Sequence, residues 1–191
     1  GSQACGDTGP GRMTEPADRV TALFPAAPFP ATIAVLTGRH VVVTAGPTYE
    51  DIDPVRFIGN RSSGRMGFAV AAAAAEAGAR VSLVAGPVRL ETPPGVERTD
   101  VRSAVEMRDA AVALARDADV FIGVAAVADY APLQRAGQKI KKGAERLTLE
   151  LASTPDVLAE VARLPDRPFT VGFAAETENL KEHALEKLSR K

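Results

Sequence analysis

The 191-residue chain has little of several things that would narrow its function at once. Its one cysteine, Cys5, rules out an internal disulfide and suits a reducing compartment. It has no tryptophan and only 5% aromatic residues, so Ala, Val, Leu and Ile must build its core. A formal net charge of -1 and the lack of any long apolar run argue against a nucleic-acid or membrane partner. We therefore expect a cytoplasmic protein.

Proline and glycine are concentrated in residues 1–38, whose composition cannot easily build a core. A regular pattern of short apolar runs starts at His40. We expect a linker-like tail over 1–38 and one folded domain over 39–191.

Within that domain, β-branched runs alternate with helical patterns. The expected strands are 41–45, 81–85, 97–101, 119–126, 147–151 and 169–173. The expected helices are 64–77 capped by Ser63, one opened by the capping box Ser103–Glu106, one capped by Thr154 with Pro155 at its first position, and 179–191. This alternation predicts an α/β fold, a three-layer sandwich with a mostly parallel sheet.

A parallel sheet binds ligands at the carboxyl ends of its strands. The ends predicted here are Thr44–Thr48, Gly86, Ala125–Tyr130 and Phe173–Thr177. Gly46, in the turn after the first strand, would let the backbone approach a phosphate. The same glycine fits an ordinary turn equally well.

The run Gly59–Gly67 opens the first helix with small, polar and basic residues. Its backbone N–H groups, the hydroxyls of Ser62 and Ser63, and the positive helix end would together bind an anion. Arg65-Met66 replaces the Lys-Ser/Thr pair of a P-loop, so this would be a different phosphate cradle. A solvated loop with a serine cap is the alternative.

Two further features follow the strand at 119–126. Asp129 could hold a metal or a ribose hydroxyl. The segment Lys139-Ile140-Lys141-Lys142 suits a mobile flap that closes on a polyphosphate, or equally a solvated basic hairpin.

Several stretches also resemble a known family. These are TAGPTYEDIDPVRFIGNRSSGRMGFAVA, DVFIGVAAVADY, KIKK, TPDVLAEVA and VGFAAET. They are similar to the ligase domain of the bacterial bifunctional proteins that combine phosphopantothenoylcysteine decarboxylase with phosphopantothenate–cysteine ligase. The resemblance covers nearly everything from His40 to Lys191 and implies a Rossmann-like fold with a lysine-bearing flap.

The tail QACGDTGPGRMTEP resembles the substrate-clamp segment of the flavin-dependent decarboxylase half. The resemblance implies that 1–38 is the C-terminal remnant of that domain plus a linker. Cys5 would then be a proton donor in the parent decarboxylase only. The family continues beyond Lys191, so we expect the ligase domain over 39–191 to be C-terminally incomplete.

The implied reaction joins 4′-phosphopantothenate to cysteine with CTP. It passes through an acyl-cytidylate and releases pyrophosphate and CMP. Mg²⁺ would accompany CTP, and the parent protein would also decarboxylate the product with FMN. The family forms homodimers through this domain and larger assemblies in the parent protein.

By resemblance, Lys139 neutralises the triphosphate in the first step, Asn60 contacts the acyl-cytidylate, and Arg56 lies nearby. Asp129 would engage the nucleotide together with Mg²⁺. The implied CTP-binding residues are Gly123, Val124, Ala125, Asp129, Lys139, Pro155, Asp156, Val157, Leu158, Phe173, Lys187 and Lys191. The expected phosphate- or substrate-binding residues are Gly46, Asn60, Ser62, Ser63 and Gly64.

Two other classes compete with a ligase. A nicotinamide-dependent oxidoreductase would share the fold, but the chain lacks the GxGxxG fingerprint. Val84–Pro87 also offers no carboxylate to hold a ribose at the end of the second strand. A non-catalytic nucleotide-binding module is the third interpretation, and in that protein Lys139 would be idle.

Overall fold

A five-stranded parallel sheet forms the centre of the protein, whose computed structural model describes residues 34–143 and 146–173. Its strands, in the order they lie across the sheet, are β5 (Val96–Asp100), β4 (Arg80–Ala85), β1 (His40–Ala45), β6 (Val120–Gly123) and β9 (Phe169–Gly172). The helices are α1 (Arg65–Glu76), α2 (Ala104–Ala115) and α3 (Val157–Ala162). None of the helices in the described ranges is long and apolar enough to cross a membrane.

Strand β1 lies in the middle of the sheet, and all six of its residues are buried. Val41 and Val43 pack on one face with Phe68 of α1, whereas Val42 packs on the other face with Met107 of α2. Helix α3 lies on the same face as α2, through Val161. Because both faces are covered, the strand is a continuous apolar run rather than an alternating one.

The chain builds the sheet outward from β1 in two directions. It first adds β4 and β5 on one side and then crosses to add β6 and β9 on the other. The change of direction lies between β1 and β6, which is where open α/β sheets bind their ligands. The predicted three-layer α/β sandwich with a parallel sheet is confirmed.

Two short antiparallel ribbons were not predicted. Strands β2 (Tyr49–Asp51) and β3 (Phe57–Gly59) form a hairpin between the first expected strand and the first expected helix, where no strand was predicted. Strands β7 (Tyr130–Pro132) and β8 (Leu151–Ser153) form the second ribbon, so the strand predicted at 147–151 instead starts at Leu151. Strands of three residues give too short a pattern to be recognised from period alone.

The predicted helix starts were right at one place and wrong at two. Ser103 caps α2 as expected, accepting a hydrogen bond from Glu106 N–H at 3.2 Å. The first helix is capped instead by Gly64, in a left-handed conformation with φ 75°. Asp156 caps α3, accepting from Ala159 N–H at 3.0 Å, because the Thr154 hydroxyl donates to Ala128 O. The helix predicted at 179–191 lies outside the described residues.

The turns after β1 and β4 pack against each other at the carboxyl edge of the sheet. Both read Ala-Gly-Pro, and Ala45 and Ala85 are paired in register. A Cβ added to Gly86 would lie 1.7 Å from the carbonyl oxygen of Pro47, which is backbone and cannot swing away. Only glycine therefore fits at position 86.

We expect Gly86→Ala to lower the free energy of unfolding by about 2 kcal/mol or more, because the added methyl group forces the two turns apart. Urea unfolding of the variant and the wild type would measure this. Gly137→Ala is the control, since a Cβ there meets nothing within 4 Å. Equal stability of the Gly86→Ala variant would contradict the packing described here.

Candidate functional site

The loops that follow β1 and β6 are hydrogen-bonded into one surface at the carboxyl edge of the sheet. Ala126 N–H donates to Gly46 O at 2.8 Å, and Thr48 N–H donates to Ala126 O at 3.4 Å. The fully buried Thr48 hydroxyl accepts from Ala128 N–H at 2.9 Å. Gly46 therefore has a structural role in addition to any contact with a ligand. The two loops form a fixed floor at the topological switch point.

Helix α1 starts directly above this floor. A Cβ on Gly64 would lie 3.5 Å from the Gly46 Cα, so the helix start and the β1 turn are in contact. The hydroxyl of Ser62 accepts from Gly64 N–H at 3.3 Å, and that of Ser63 lies 3.5 Å from Arg65 N. No acidic residue lies in the first turn of the helix. The structure thus brings together Gly46, Ser62, Ser63 and Gly64 at an uncompensated positive helix end, which can bind an anion.

The hairpin of β2 and β3 stands beside the floor and is held by a separate set of contacts. The rings of Tyr49 and Phe57 stack with their centroids 3.9 Å apart, and the Arg102 guanidinium lies over both rings. Arg102 also pairs with Asp51 at 2.7 Å, and Arg135 pairs with the same carboxylate at 2.9 Å. The hydrogen bond from Arg102 lowers the pKa of Asp51. The hairpin is thus fixed to the sheet and to the segment after β7.

The end of this hairpin carries Asn60, one of the expected catalytic residues. Its side-chain Nδ2 donates to Val127 O at 2.9 Å, so the amide is anchored on the floor. Its oxygen makes no hydrogen bond to the described residues and is available to a ligand. Asp129 lies two residues past this anchor and is exposed.

Arg56 is drawn to the segment that carries Lys139. Its guanidinium Nη2 donates to Ile140 O at 2.8 Å and also pairs with the buried Asp53. Hydrogen bonds from the Arg56 side chain and from three backbone N–H groups hold the pKa of Asp53 well below its usual range. The Lys139 side chain is exposed, with no ion pair to a described residue. The structure therefore places Arg56 next to the residue that follows Lys139.

Three of the residues expected to bind cytidine, Gly123, Leu158 and Phe173, lie close together at the ends of β6 and β9. Gly123 and Gly172 are paired in register, and Phe173 N–H donates to Gly123 O at 3.1 Å. The Leu158 side chain covers both glycines, lying 3.2 and 2.6 Å from where their Cβ atoms would stand. Phe173 is 53% exposed.

The remaining expected CTP-binding residues differ in their surroundings. Val157 is buried in the core, and Asp156 caps α3. Val124 and Ala125 are tied to β1, through Thr44 O at 3.3 Å and the Thr44 hydroxyl at 3.3 Å. Pro155 lies between Thr154 and that cap. Cys5, Lys187 and Lys191 lie outside the described residues.

Mg²⁺ was expected with the nucleotide. In residues 34–143 and 146–173, no three His, Cys, Asp or Glu side chains are grouped to hold a metal ion. A magnesium ion carried by a nucleotide needs only one or two protein carboxylates in addition to its phosphates. The single exposed carboxylate of Asp129 fits such an ion.

Sequence reasoning missed Asp53 and Thr48, both polar and buried. Asp53 is followed by Pro54, a dipeptide typical of a turn closed by the aspartate side chain. That signal predicts the turn but not the partner, because Ile140 is 87 residues away.

Comparison with known proteins identifies the family. Residues 36–191 match the model described as the DNA/pantothenate metabolism flavoprotein C-terminal domain. The whole chain aligns with 48% of the coenzyme A biosynthesis bifunctional protein CoaBC of Vibrio cholerae, and the aligned residues are 53% identical. It aligns with 47% of the Escherichia coli K12 protein of that name at 51% identity. The chain spans about half the length of these curated relatives.

Solved structures agree with this. The C-terminal domain of a CoaBC protein superposes with a TM-score of 0.73 at 41% identity, covering 82% of this chain and 74% of that one. A Cab2 H337A variant in complex with phosphopantothenate-cysteine shares the fold, with a TM-score of 0.65 at 18% identity over 94% of this chain and 78% of that one. On the match over 36–191 and these identities, the chain belongs to the DNA/pantothenate metabolism flavoprotein C-terminal domain family.

Proposed function

We propose that this domain joins 4′-phosphopantothenate to cysteine in coenzyme A biosynthesis, using CTP. The observation that carries the proposal is that the segment leading from the β2–β3 hairpin into the positive end of α1 is bonded to the residue after Lys139 through Arg56, and to the loop after β6 through Asn60. The relatives named for coenzyme A biosynthesis support it, as does the fold shared with a protein that binds phosphopantothenate-cysteine. Cytoplasmic location and a homodimer through this domain belong to the same proposal.

The first step brings two anions together. A carboxylate oxygen of 4′-phosphopantothenate forms a bond to the α-phosphorus of CTP. The bond from that phosphorus to the bridging oxygen breaks, and pyrophosphate leaves. Positive charge fixed beforehand around the phosphates lowers this barrier most effectively. Lys139 supplies that charge for the triphosphate, and Arg56 holds the backbone of Ile140, the next residue along that segment.

The second step consumes the acyl-cytidylate. The amine of cysteine bonds to the acyl carbon and loses a proton, and CMP leaves with the electrons of the carbon–oxygen bond. Asn60 contacts the intermediate through the side-chain oxygen that its own anchor leaves open. The amide thus orients the acyl group toward the amine and does not exchange a proton with it.

The phosphate of 4′-phosphopantothenate binds at the start of α1. Ser62, Ser63 and the helix N–H groups are donors there, and Gly46 allows the close approach of the helix start to the β1 turn. CTP lies across the switch point, with its base near Gly123, Leu158 and Phe173. Asp129 would hold the Mg²⁺ that accompanies the triphosphate, and that ion would neutralise part of the phosphate charge. The FMN-dependent decarboxylation, with Cys5 as proton donor, belongs to the other half of the parent protein.

The direct test is pyrophosphate release by the full-length protein with Mg²⁺, CTP and 4′-phosphopantothenate. We expect release that requires 4′-phosphopantothenate, does not require cysteine, and is faster with CTP than with ATP. Release that depends on cysteine, or no release at all, would contradict an acyl-cytidylate mechanism.

Replacing Lys139 by Gln should lower the rate of pyrophosphate release about 100-fold, because a fixed charge at the triphosphate is lost. Arg116→Gln is the control: Arg116 is an exposed cation at the C-cap of α2, at the opposite end of that helix from the site. An unchanged rate in the Lys139→Gln variant would favour a non-catalytic nucleotide-binding module.

Replacing Phe173 by Leu should raise the KM for CTP about tenfold, since stacking on a base contributes about 1–3 kcal/mol. Phe169→Leu is a matched control, because Phe169 is an exposed phenylalanine at the other end of the same strand. Steady-state kinetics with varied CTP would separate the two. The same KM in both variants would remove Phe173 from the nucleotide pocket.

A further inference from the structure

Among the described residues near the site, the side chain of Asp53 makes the most hydrogen bonds, and the proposed function gives it no role. Its side chain is fully buried, and its carboxylate accepts five hydrogen bonds. Oδ1 accepts from Val55 N–H at 2.8 Å and Arg56 N–H at 2.9 Å, which closes a local turn. Oδ2 accepts from the Arg56 side chain and from Ile140 N–H at 3.1 Å.

The local turn does not by itself require a buried carboxylate. A serine or asparagine closes such turns without a charge to desolvate. The hairpin that contains the turn is also fixed independently, by the Tyr49–Phe57 stack and the Asp51–Arg102 pair. The charge of Asp53 adds hydrogen bonds to the nearby Arg56 guanidinium and to the N–H of Ile140, which is distant in the chain.

Asp53 and Arg56 together hold both backbone polar groups of Ile140. Its N–H donates to Asp53, and its carbonyl accepts from Arg56 Nη2 at 2.8 Å. A third bond, from Ala136 N–H to Ile52 O at 2.9 Å, fixes the same segment four residues earlier. The peptide that joins Lys139 to Ile140 is therefore fixed in orientation, while the lysine side chain stays exposed.

We propose that Asp53 is a positioning residue for Lys139, acting through the backbone of Ile140. Asp53 and Arg56 form the Ile140 clamp, which sets where the Lys139 ammonium can reach relative to Asn60. Because the carboxylate is matched by the Arg56 charge, it does not draw Lys139 into an ion pair of its own. This inference rests on the proposed role of Lys139.

The Asp53 carboxylate of the clamp is ionised at neutral pH. The pKa of Asp53 is lowered from 3.8, first by the Arg56 side chain and then by the backbone donors, against the opposing effect of burial. Its contribution to stability is therefore present above about pH 4 and is lost only as the pH falls further. The carboxylate of Asp51 also interacts electrostatically with Asp53, and Arg102 and Arg135 keep it ionised.

The test compares Asp53→Asn with Asp119→Asn in the full-length protein. Asp119 is the control: its carboxylate also holds an arginine and a backbone N–H, Arg39 and His40, but it lies at the amino end of β6 and is more exposed than Asp53. The first readout is hydrogen exchange of the peptide that covers Lys139–Lys142, which needs no activity. We expect exchange at least tenfold faster in Asp53→Asn and unchanged in Asp119→Asn.

The second readout is single-turnover pyrophosphate release without cysteine. We expect Asp53→Asn to slow it about 30-fold, with little change in the reaction of preformed acyl-cytidylate with cysteine. In a Lys139→Gln background, Asp53→Asn should cause no further loss, because both act through the same ammonium. Losses that multiply, or equal losses in both half-reactions, would show a general structural role and overturn the proposal.

Asp53→Ser is the second variant if Asp53→Asn does not fold. Its hydroxyl can still close the local turn, but it cannot hold Arg56 and Ile140 together. We expect the same fast exchange and slow pyrophosphate release. Protection of 139–142 retained in either variant would refute the clamp. If exchange changes as expected but the wild-type protein releases no pyrophosphate, the clamp stands and the ligase function is wrong.

Discussion

The structure depends on a backbone constraint at the end of β1. This strand is buried on both faces, so its last peptide groups cannot turn to solvent and must find partners within the protein. They find them in the loop after β6, through Gly46, Thr48 and Ala126. The resulting floor is the surface on which the start of α1, the Asn60 side chain and the ends of β6 and β9 meet.

The charged residues around this floor fall into two kinds. Those that hold the architecture are paired: Asp51 with two arginines, and Asp53 with Arg56. Asp129 and Lys139, expected to meet substrate, are exposed and have no ion pair within the described ranges. A site that binds a triphosphate and a second anion benefits from this separation, because a cation already neutralised by a carboxylate would contribute less to anion binding.

The β2–β3 hairpin connects the paired charged residues with the exposed ones. It is short, and its strands have three residues each. It joins the end of β1 to the start of α1, and it also reaches the segment after β7 through Arg135, Ala136 and Ile140. Asn60 and Lys139, which lie far apart in the chain, are thus both positioned by the same hairpin. A flexible ligand-binding loop in that place would lose conformational entropy each time a ligand bound.

The amino-acid sequence alone determined the α/β class, the parallel sheet and its core strands. A continuous run of apolar, β-branched residues such as Val41–Ala45 predicts a strand that is buried on both faces. It also singled out Asn60 and Lys139 through their motifs. Only the tertiary structure decided the caps at Gly64 and Asp156, the two ribbons and the Ile140 clamp. Asp53 bonds a backbone 87 residues away, and a backbone N–H is the same whatever side chain it belongs to. That contact therefore cannot be predicted from a pattern of residues in the sequence.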